Sequence, residues 1–514
     1  MDIKNITIVG GGSAGWMTAA TLIKCFPNKN ITLIESPTIS SVSVGESTLA
    51  HIRGWITLLG IKDEDFVPYT DASYKLSIKF TDFYKKGESF HYPFGQPDTV
   101  GNIKGVTDWW FKKFTKPSTP YSDYVNSLFP QMALVNKNKL FFNEENVLPF
   151  RFKQDTAFHF DASKFGLWLR DYYCIPRGVK HIKEDIKSIE QDDEGIKTLN
   201  HQHTADLFID CTGFRSLLLG GALKEPFESD EDLLPNNMAW ATHLPYKNKR
   251  KQLVPYTNCT AYKNGWVWNI PLWSRIGTGY VYSNKFISDQ DALKEFKTYL
   301  GKENLKFKNI KMRVGIHKRL WVKNVCAIGL SAGFIEPLES NGLFSVHEFL
   351  HRLVRNLERG PVSQWDKDSF TAVCRTIYNT FKEFVILHYS LSHRQDTPYW
   401  KANFNKEWIS NLIASEYKFP SSSQLNNAIY TREVDQQFIG VGGFHCIAAG
   451  MHWSPTDIPS LIKSHHTNDM KIWKKRWDKC GVSLDAKRPR WENSIKNAPP
   501  LYDFLKNNFY SPKT

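Results

Sequence analysis

Gly10-Gly11-Gly12-Ser13-Ala14-Gly15 follows the apolar stretch Ile6–Val9 and opens a segment with helical patterning, Gly15–Cys25. No other feature restricts the fold so tightly. A G-x-G-x-x-G spacing between strand and helix brings backbone against backbone, which only glycine permits at those positions. Gly10 allows the tight turn, Gly12 lets amides approach a pyrophosphate, and Gly15 lets helix and strand pack closely. Ser13 and Ala14 complete the turn at the helix N-terminus, where the positive potential suits phosphate. A second strand, Ile31–Ile34, follows, and Glu35 closes it 20 residues after Gly15, where a carboxylate accepts ribose hydroxyls. The chain is expected to begin as a β–α–β dinucleotide-binding unit.

The dinucleotide is expected to be FAD. A nicotinamide site of its own would need a second fingerprint, and Gly440-Val441-Gly442-Gly443 lacks both the spacing and a preceding strand. Asp210-Cys211-Thr212-Gly213, after the apolar Leu207–Ile209, is the kind of turn that FAD enzymes of the monooxygenase type carry late in the nucleotide domain. Electrons are therefore expected from outside the chain.

With 514 residues, 41% hydrophobic and 23% charged, the sequence has the composition of a soluble globular protein with a large core. No apolar run is long enough to span a bilayer, and no basic-then-apolar leader precedes the first strand. The eight cysteines contain no C-x-x-C pair, which speaks against a zinc ribbon or a disulfide framework. A cytoplasmic enzyme without a metal site is expected. The net charge of +14 is spread along the chain. Its densest run, Lys471–Lys479, reads as a solvated helix face with two buried tryptophans rather than a nucleic-acid patch.

The fold class expected is α/β: an FAD-binding Rossmann-like domain interleaved with a mostly β substrate layer, plus C-terminal helices. The FAD-binding part covers 1–70, 156–240 and 311–345, and the β-rich layer 71–155 and 241–310. A helical part over 346–514 completes the substrate site, with helices at Val346–Leu357, Phe370–Leu387 and Asn405–Glu416. Beyond Pro455 the tail reads as irregular with short helices. Tyr74–Phe80 alternates as a strand, placing Lys75, Ser77 and Lys79 on one face, which by itself suggests a wet face.

Several further blocks occur in order: Val44-Gly45-Glu46-Ser47, Ala157–Ala162, Gly265-Trp266-Val267-Trp268-Asn269-Ile270-Pro271, Gly277–Ser283 and Phe334-Ile335-Glu336-Pro337-Leu338-Glu339-Ser340. With them the chain resembles the flavin-dependent halogenases related to tryptophan halogenases, from the N-terminus to about residue 400. The tryptophan block matches that family's W-x-W-x-I-P. The resemblance implies that a separate flavin reductase supplies reduced FAD, which with O2 forms a flavin hydroperoxide that oxidises halide to hypohalous acid. The acid then moves through a tunnel to a lysine beside an electron-rich ring. Lys75 matches that lysine, acting either by hydrogen bonding or through a haloamine. Glu339 matches the essential glutamate, expected near Lys75, with Glu336 as its competitor. Glu46, Ser47, Leu330 and Leu343 would join the glycine turn at the cofactor, and Asn341-Gly342 would hold the halide. Trp266 and Trp268 would wall off the flavin, although one strand face of core packing explains them equally well.

Two departures bear on specificity. Asn341 stands where the family usually has Thr, so bromide or iodide could be favoured over chloride. The Tyr-Tyr pair with which tryptophan-specific members hold the amino-acid end corresponds here to Gly443-Phe444-His445-Cys446, and Tyr92 replaces a histidine while Phe94 keeps an aromatic ring. Indoles or phenols are therefore expected as substrates in preference to free tryptophan. The expected partners are the reductase and a small aromatic substrate, with no nucleic acid, no membrane and oligomerisation left open. The alternative reading is a flavin-dependent aromatic hydroxylase, which leaves the joint occurrence of Lys75, Glu339 and the tryptophan block unexplained.

Overall fold

The computed structural model describes residues 2–39, 46–98, 109, 112–113, 116–403, 441–452 and 470–511. Two compact units are built from interleaved segments. The first comprises Met1–Ser73, Ala157–Tyr246 and Leu272–Lys382; the second comprises Tyr74–Thr156, Lys247–Pro271 and Glu383–Thr514.

The first unit is organised on a six-stranded sheet. Strand β1 (Asn5–Val9) lies between β2 (Asn30–Glu35) and Leu207–Asp210, and the sheet extends through Val325–Ala327 to Trp321–Val322 on one side and to Lys180–Lys183 on the other. All neighbours run parallel except the Trp321–Val322 edge. Helix α1 (Ser13–Cys25) connects β1 to β2, and every residue from Gly15 to Ile23 is buried. A helix covered on all sides needs no polar face, which matches the sequence of its middle turns. A separate antiparallel group, Lys308–Lys311, Met238–Leu244 and Ile276–Tyr282, belongs to the same unit. So does the long amphipathic helix Gly342–Glu358.

One buried carboxylate ties the late nucleotide turn together. Asp210 is inaccessible to solvent. Its Oδ1 accepts from the Thr212 amide at 3.0 Å and the Thr212 hydroxyl at 2.7 Å, and its Oδ2 accepts from the amides of Leu218 and Leu219 at 2.8 and 2.9 Å. Four donors on one carboxylate explain how a charged group remains where water cannot reach it.

In the second unit, Gly265–Pro271 pairs antiparallel with Tyr256–Tyr262, which runs parallel to Ser77–Thr81, itself antiparallel to Ser89–Pro93. Three local expectations are corrected here. Tyr74–Phe80 is not one strand: it breaks at Leu76 between Ser73–Lys75 and Ser77–Thr81, and the Leu76 amide donates to Pro255 O at 2.7 Å. Residues 123–128 and 131–137 are helices rather than strands and loops, and Gln131–Val135 is buried on every side, so the run shows neither a strand's nor an amphipathic helix's alternation. The tail holds a 25-residue helix, Met470–Ser494, with Pro489 inside it, before the short helical pieces Leu501–Leu505 and Lys506–Tyr510, so it is less irregular than expected. The side chains of Trp473 and Trp477, and the helix expected at Asn405–Glu416, lie outside the described residues. Among the described residues no helix is long and apolar enough to cross a membrane.

Asp210→Ala strands the amides of Leu218 and Leu219 in the interior and is expected to cost about 3 kcal/mol. Thermal unfolding of the variant reads this as a lowered midpoint, whereas a midpoint equal to the parent's would show that water replaces those bonds.

Candidate active site

In the first unit the glycine turn has the shape its sequence demands. Gly10 sits at φ +117°, and a Cβ there would lie 2.3 Å from Cys211 O. A Cβ on Gly15 would lie 1.8 Å from Gly10 O, so helix and strand touch where any side chain would part them. Gly12 is different: a Cβ there would meet nothing within 4 Å. The space above Gly12 is a cradle, and Gly12 is also the N-cap of α1, with no side-chain cap on the helix amides. Uncapped amides facing open space fit a pyrophosphate. Ser13 is turned away, its hydroxyl donating to Ala162 O at 2.9 Å.

Glu35 lies directly against the turn, because a Cβ on Gly11 would fall 2.3 Å from its side chain. One carboxylate oxygen is 2.8 Å from His181 Nε2, and the His181 ring meets the Trp16 ring edge-on at 5.1 Å. His181 thus orients the carboxylate that the ribose would use. Ala14 packs on the turn holding Leu330: a Cβ on Gly329, at φ +71°, would be 2.9 Å from the Ala14 Cβ. The residues present therefore fit FAD along the turn and β2. The side chain of Glu46 lies outside the described residues.

In the loop before the Gly342–Glu358 helix every residue from Ile335 to Asn341 is buried except Pro337, which is half-buried. Glu336 and Glu339 are both inaccessible to solvent, and they differ in surroundings. Asn236 Nδ2 donates to Glu336 Oε2 at 2.5 Å, giving Glu336 a structural task, while Glu339 ends the single turn Pro337–Glu339. Ser340, at φ +59°, donates from its hydroxyl to that of Ser47 at 3.0 Å, which fixes the bend out of that turn. Asn341 caps the helix and Gly342 is its first residue. The Asn341 side-chain oxygen is buried and has no hydrogen-bond partner among the described residues. Leu330, Asn341, Gly342, Phe344 and Tyr378 line a small pocket. Leu343 is buried in the first helical turn. The structure thus brings Leu330, Asn341 and Gly342 to one cavity at the N-terminus of a long helix, a setting that favours an anion.

The second unit carries the expected lysine. Lys75 is not on a wet face: both it and Ser77 are inaccessible to solvent, and only Lys79 is half-buried. Lys75 belongs to a different strand from Ser77 and Lys79, and alternation in any case does not say what covers a face. The Lys75 ammonium lies 4.8 Å from the centre of the Phe94 ring. Tyr92 meets Phe94 edge-on at 5.7 Å and Phe384 at 5.8 Å. Gly443 closes against the same rings, where a Cβ would sit 2.6 Å from Phe384 Cζ and 2.9 Å from Tyr92 Cζ. Trp266 and Trp268 are buried on Gly265–Pro271 with ring centres 6.2 Å apart. His445 is buried, and the side chain of Phe444 lies outside the described residues. Phe384 had no local signal in the sequence, since a phenylalanine in a long helix reads as core.

Residues 5–466 match the family model described as tryptophan halogenase. The tryptophan 6-halogenase SttH of Streptomyces toxytricini is 35% identical over 462 residues, covering 82% of this chain and 87% of that protein. The tryptophan 7-halogenase RebH of Lentzea aerocolonigenes is 29% identical, with 98% of each covered. Among solved structures, that of VirX1 without ligand is similar at a TM-score of 0.89 and 37% identity, covering 99% of this chain and 100% of that one. BrvH, a flavin-dependent halogenase from Brevundimonas sp. BAL3, gives 0.81 at 29% identity over 98% and 99%. Agreement of this extent, from the nucleotide turn to beyond the aromatic cluster, makes the chain a member of the tryptophan halogenase family, a flavin-dependent enzyme that works with reduced FAD, O2 and halide.

Proposed function

We propose that this enzyme halogenates small electron-rich aromatic rings, indoles or phenols, with Lys75 and Glu339 as its catalytic groups. The observation that carries the reading is Lys75: an ammonium withdrawn from water and held over Phe94, beside Tyr92. Such an ammonium is the hydrogen-bond donor that the proposed halogenation calls for, a task that an aromatic hydroxylase does not set. Reduced FAD, bound along the glycine turn and Glu35, supplies with O2 the oxidising equivalent that converts halide to hypohalous acid. The Lys75 ammonium donates a hydrogen bond to the oxygen of that acid and draws electrons from the halogen. The ring carbon attacks the halogen, the oxygen leaves as water after taking up a proton, and Glu339 accepts the proton displaced from the ring. A separate flavin reductase serves as the electron source.

Selectivity follows from two positions. Gly443 is pressed against Phe384 and Tyr92, so those rings occupy the room that a tyrosine at that position would require. The clamp for an amino-acid end is accordingly absent from that position, while the stacking surface stays. At the halide turn, the unpartnered oxygen of Asn341 repels a compact, strongly hydrated anion more than a large polarisable one, which favours bromide or iodide over chloride.

Lys75→Ala and Glu339→Gln are each expected to lower halogenation by roughly 100-fold or more while FAD binding, followed by flavin fluorescence, is retained. A Lys75→Ala enzyme halogenating at the parent rate would overturn the assignment. In competition assays analysed by mass spectrometry, brominated or iodinated product should exceed chlorinated product at equal halide concentration; equal incorporation of chloride would remove the role given to Asn341. Across a substrate panel, simple indoles and phenols should outpace free tryptophan, and the opposite order would show that the amino-acid end is held by residues other than the missing pair.

A further inference from the structure

The helix that starts at Gly342 carries a second constellation one turn further along. Residues 347–351 read His-Glu-Phe-Leu-His, a spacing that places both histidines on one helical face, with Glu348 one turn before His351. The expectation of no metal rested on the cysteines and did not weigh this run. In the structure, one nitrogen or oxygen from each of His347, Glu348 and His351 lies within 4.8 Å of the others. His347 is only 1% exposed, and its Nδ1 has no hydrogen-bond partner among the described residues. Glu348 Oε1 approaches that nitrogen at 3.4 Å without hydrogen-bond alignment. A buried imidazole nitrogen beside a carboxylate, with a second imidazole one turn further along the helix, forms a set of candidate ligands.

We propose that His347, Glu348 and His351 bind a divalent first-row transition-metal ion, with water completing its coordination. Two imidazoles and a carboxylate are a ligand set suited to zinc or its neighbours. Tetrahedral bonds of about 2.0–2.1 Å place ligand atoms about 3.3 Å apart. The pair at 3.4 Å already meets this, and closing the rest from 4.8 Å requires about 1.5 Å of side-chain rotation. Arg352 and Arg355, near His351, oppose a cation, and the Glu348 carboxylate offsets them. His351 and Glu348, whose side chain is 16% exposed, are half-buried rather than sealed, which gives the ion a way in. His51 stands one ring away, meeting Phe344 edge-on at 5.3 Å, and Phe344 meets His347 at 5.3 Å. Because Glu348 is turned onto His347, the arrangement is a binding site rather than a hydrolytic centre.

The test uses the full chain, stripped with a chelator and titrated with Co2+ alone. A visible d–d absorption saturating at one ion per chain is expected, with the thermal midpoint rising by roughly 2–5 °C at saturation. Zn2+ should displace the colour. His347→Ala/His351→Ala should abolish it, Glu348→Gln should weaken binding by roughly 10- to 100-fold, and His201→Ala, an exposed histidine elsewhere, should leave it intact. Absence of the band from the parent protein overturns the proposal whether or not the double variant folds, and so does a band that survives in the double variant. Halogenase activity enters neither outcome, so the result stands apart from the proposed reaction.

Discussion

The contact between Gly15 and the carbonyl of Gly10 is the constraint on which the first unit depends. Because a Cβ there would come within 1.8 Å of that oxygen, α1 can pack down on β1 only with glycine at position 15, while Gly10 keeps the turn against Cys211. That packing sets the axis of α1, buries its middle turns and leaves the space over Gly12 open. It also positions Ala14 against Gly329, so the nucleotide turn and the turn carrying Leu330 share one surface. Asp210 performs the equivalent task from the neighbouring strand, gathering four donors into a fixed late turn.

Buried charge is the second theme. Lys75, Asp210, Glu336 and Glu339 are all inaccessible to solvent, and the contacts of three of them differ in kind. Asp210 is saturated by backbone and hydroxyl donors, and Glu336 is held by Asn236; these are structural uses of charge. Lys75 lies over an aromatic ring, a contact that stabilises an ammonium. Its place against Phe94, with Tyr92 and Phe384 beyond, is what supports the proposed reading more directly than the glycine turn can.

Legibility in the sequence followed the range of the interactions. The nucleotide turn, Glu35 and the order of the family blocks were all readable, because strand–turn–helix geometry is decided within a few tens of residues. The helices at 342–358 and 364–390 were visible from periodicity, with ends displaced by a few residues because capping at Asn341 depends on the loop before it. Residues 123–137 were misread as strand and loop because short apolar runs fit both periods. The His347–His351 run was legible as spacing; only the structure showed that Nδ1 of His347 is buried and directed at Glu348.

By itself, then, the sequence determined that the chain binds a dinucleotide and belongs among flavin enzymes, since those properties reside in backbone turns that few residue types allow. Tertiary structure decided what the side chains are for. It buried Lys75 where alternation suggested water, brought Phe384 and Gly443 against Tyr92, and gave Asn236 to Glu336. Each is a contact between residues far apart in the chain, and no local pattern encodes which distant surface will cover a given face.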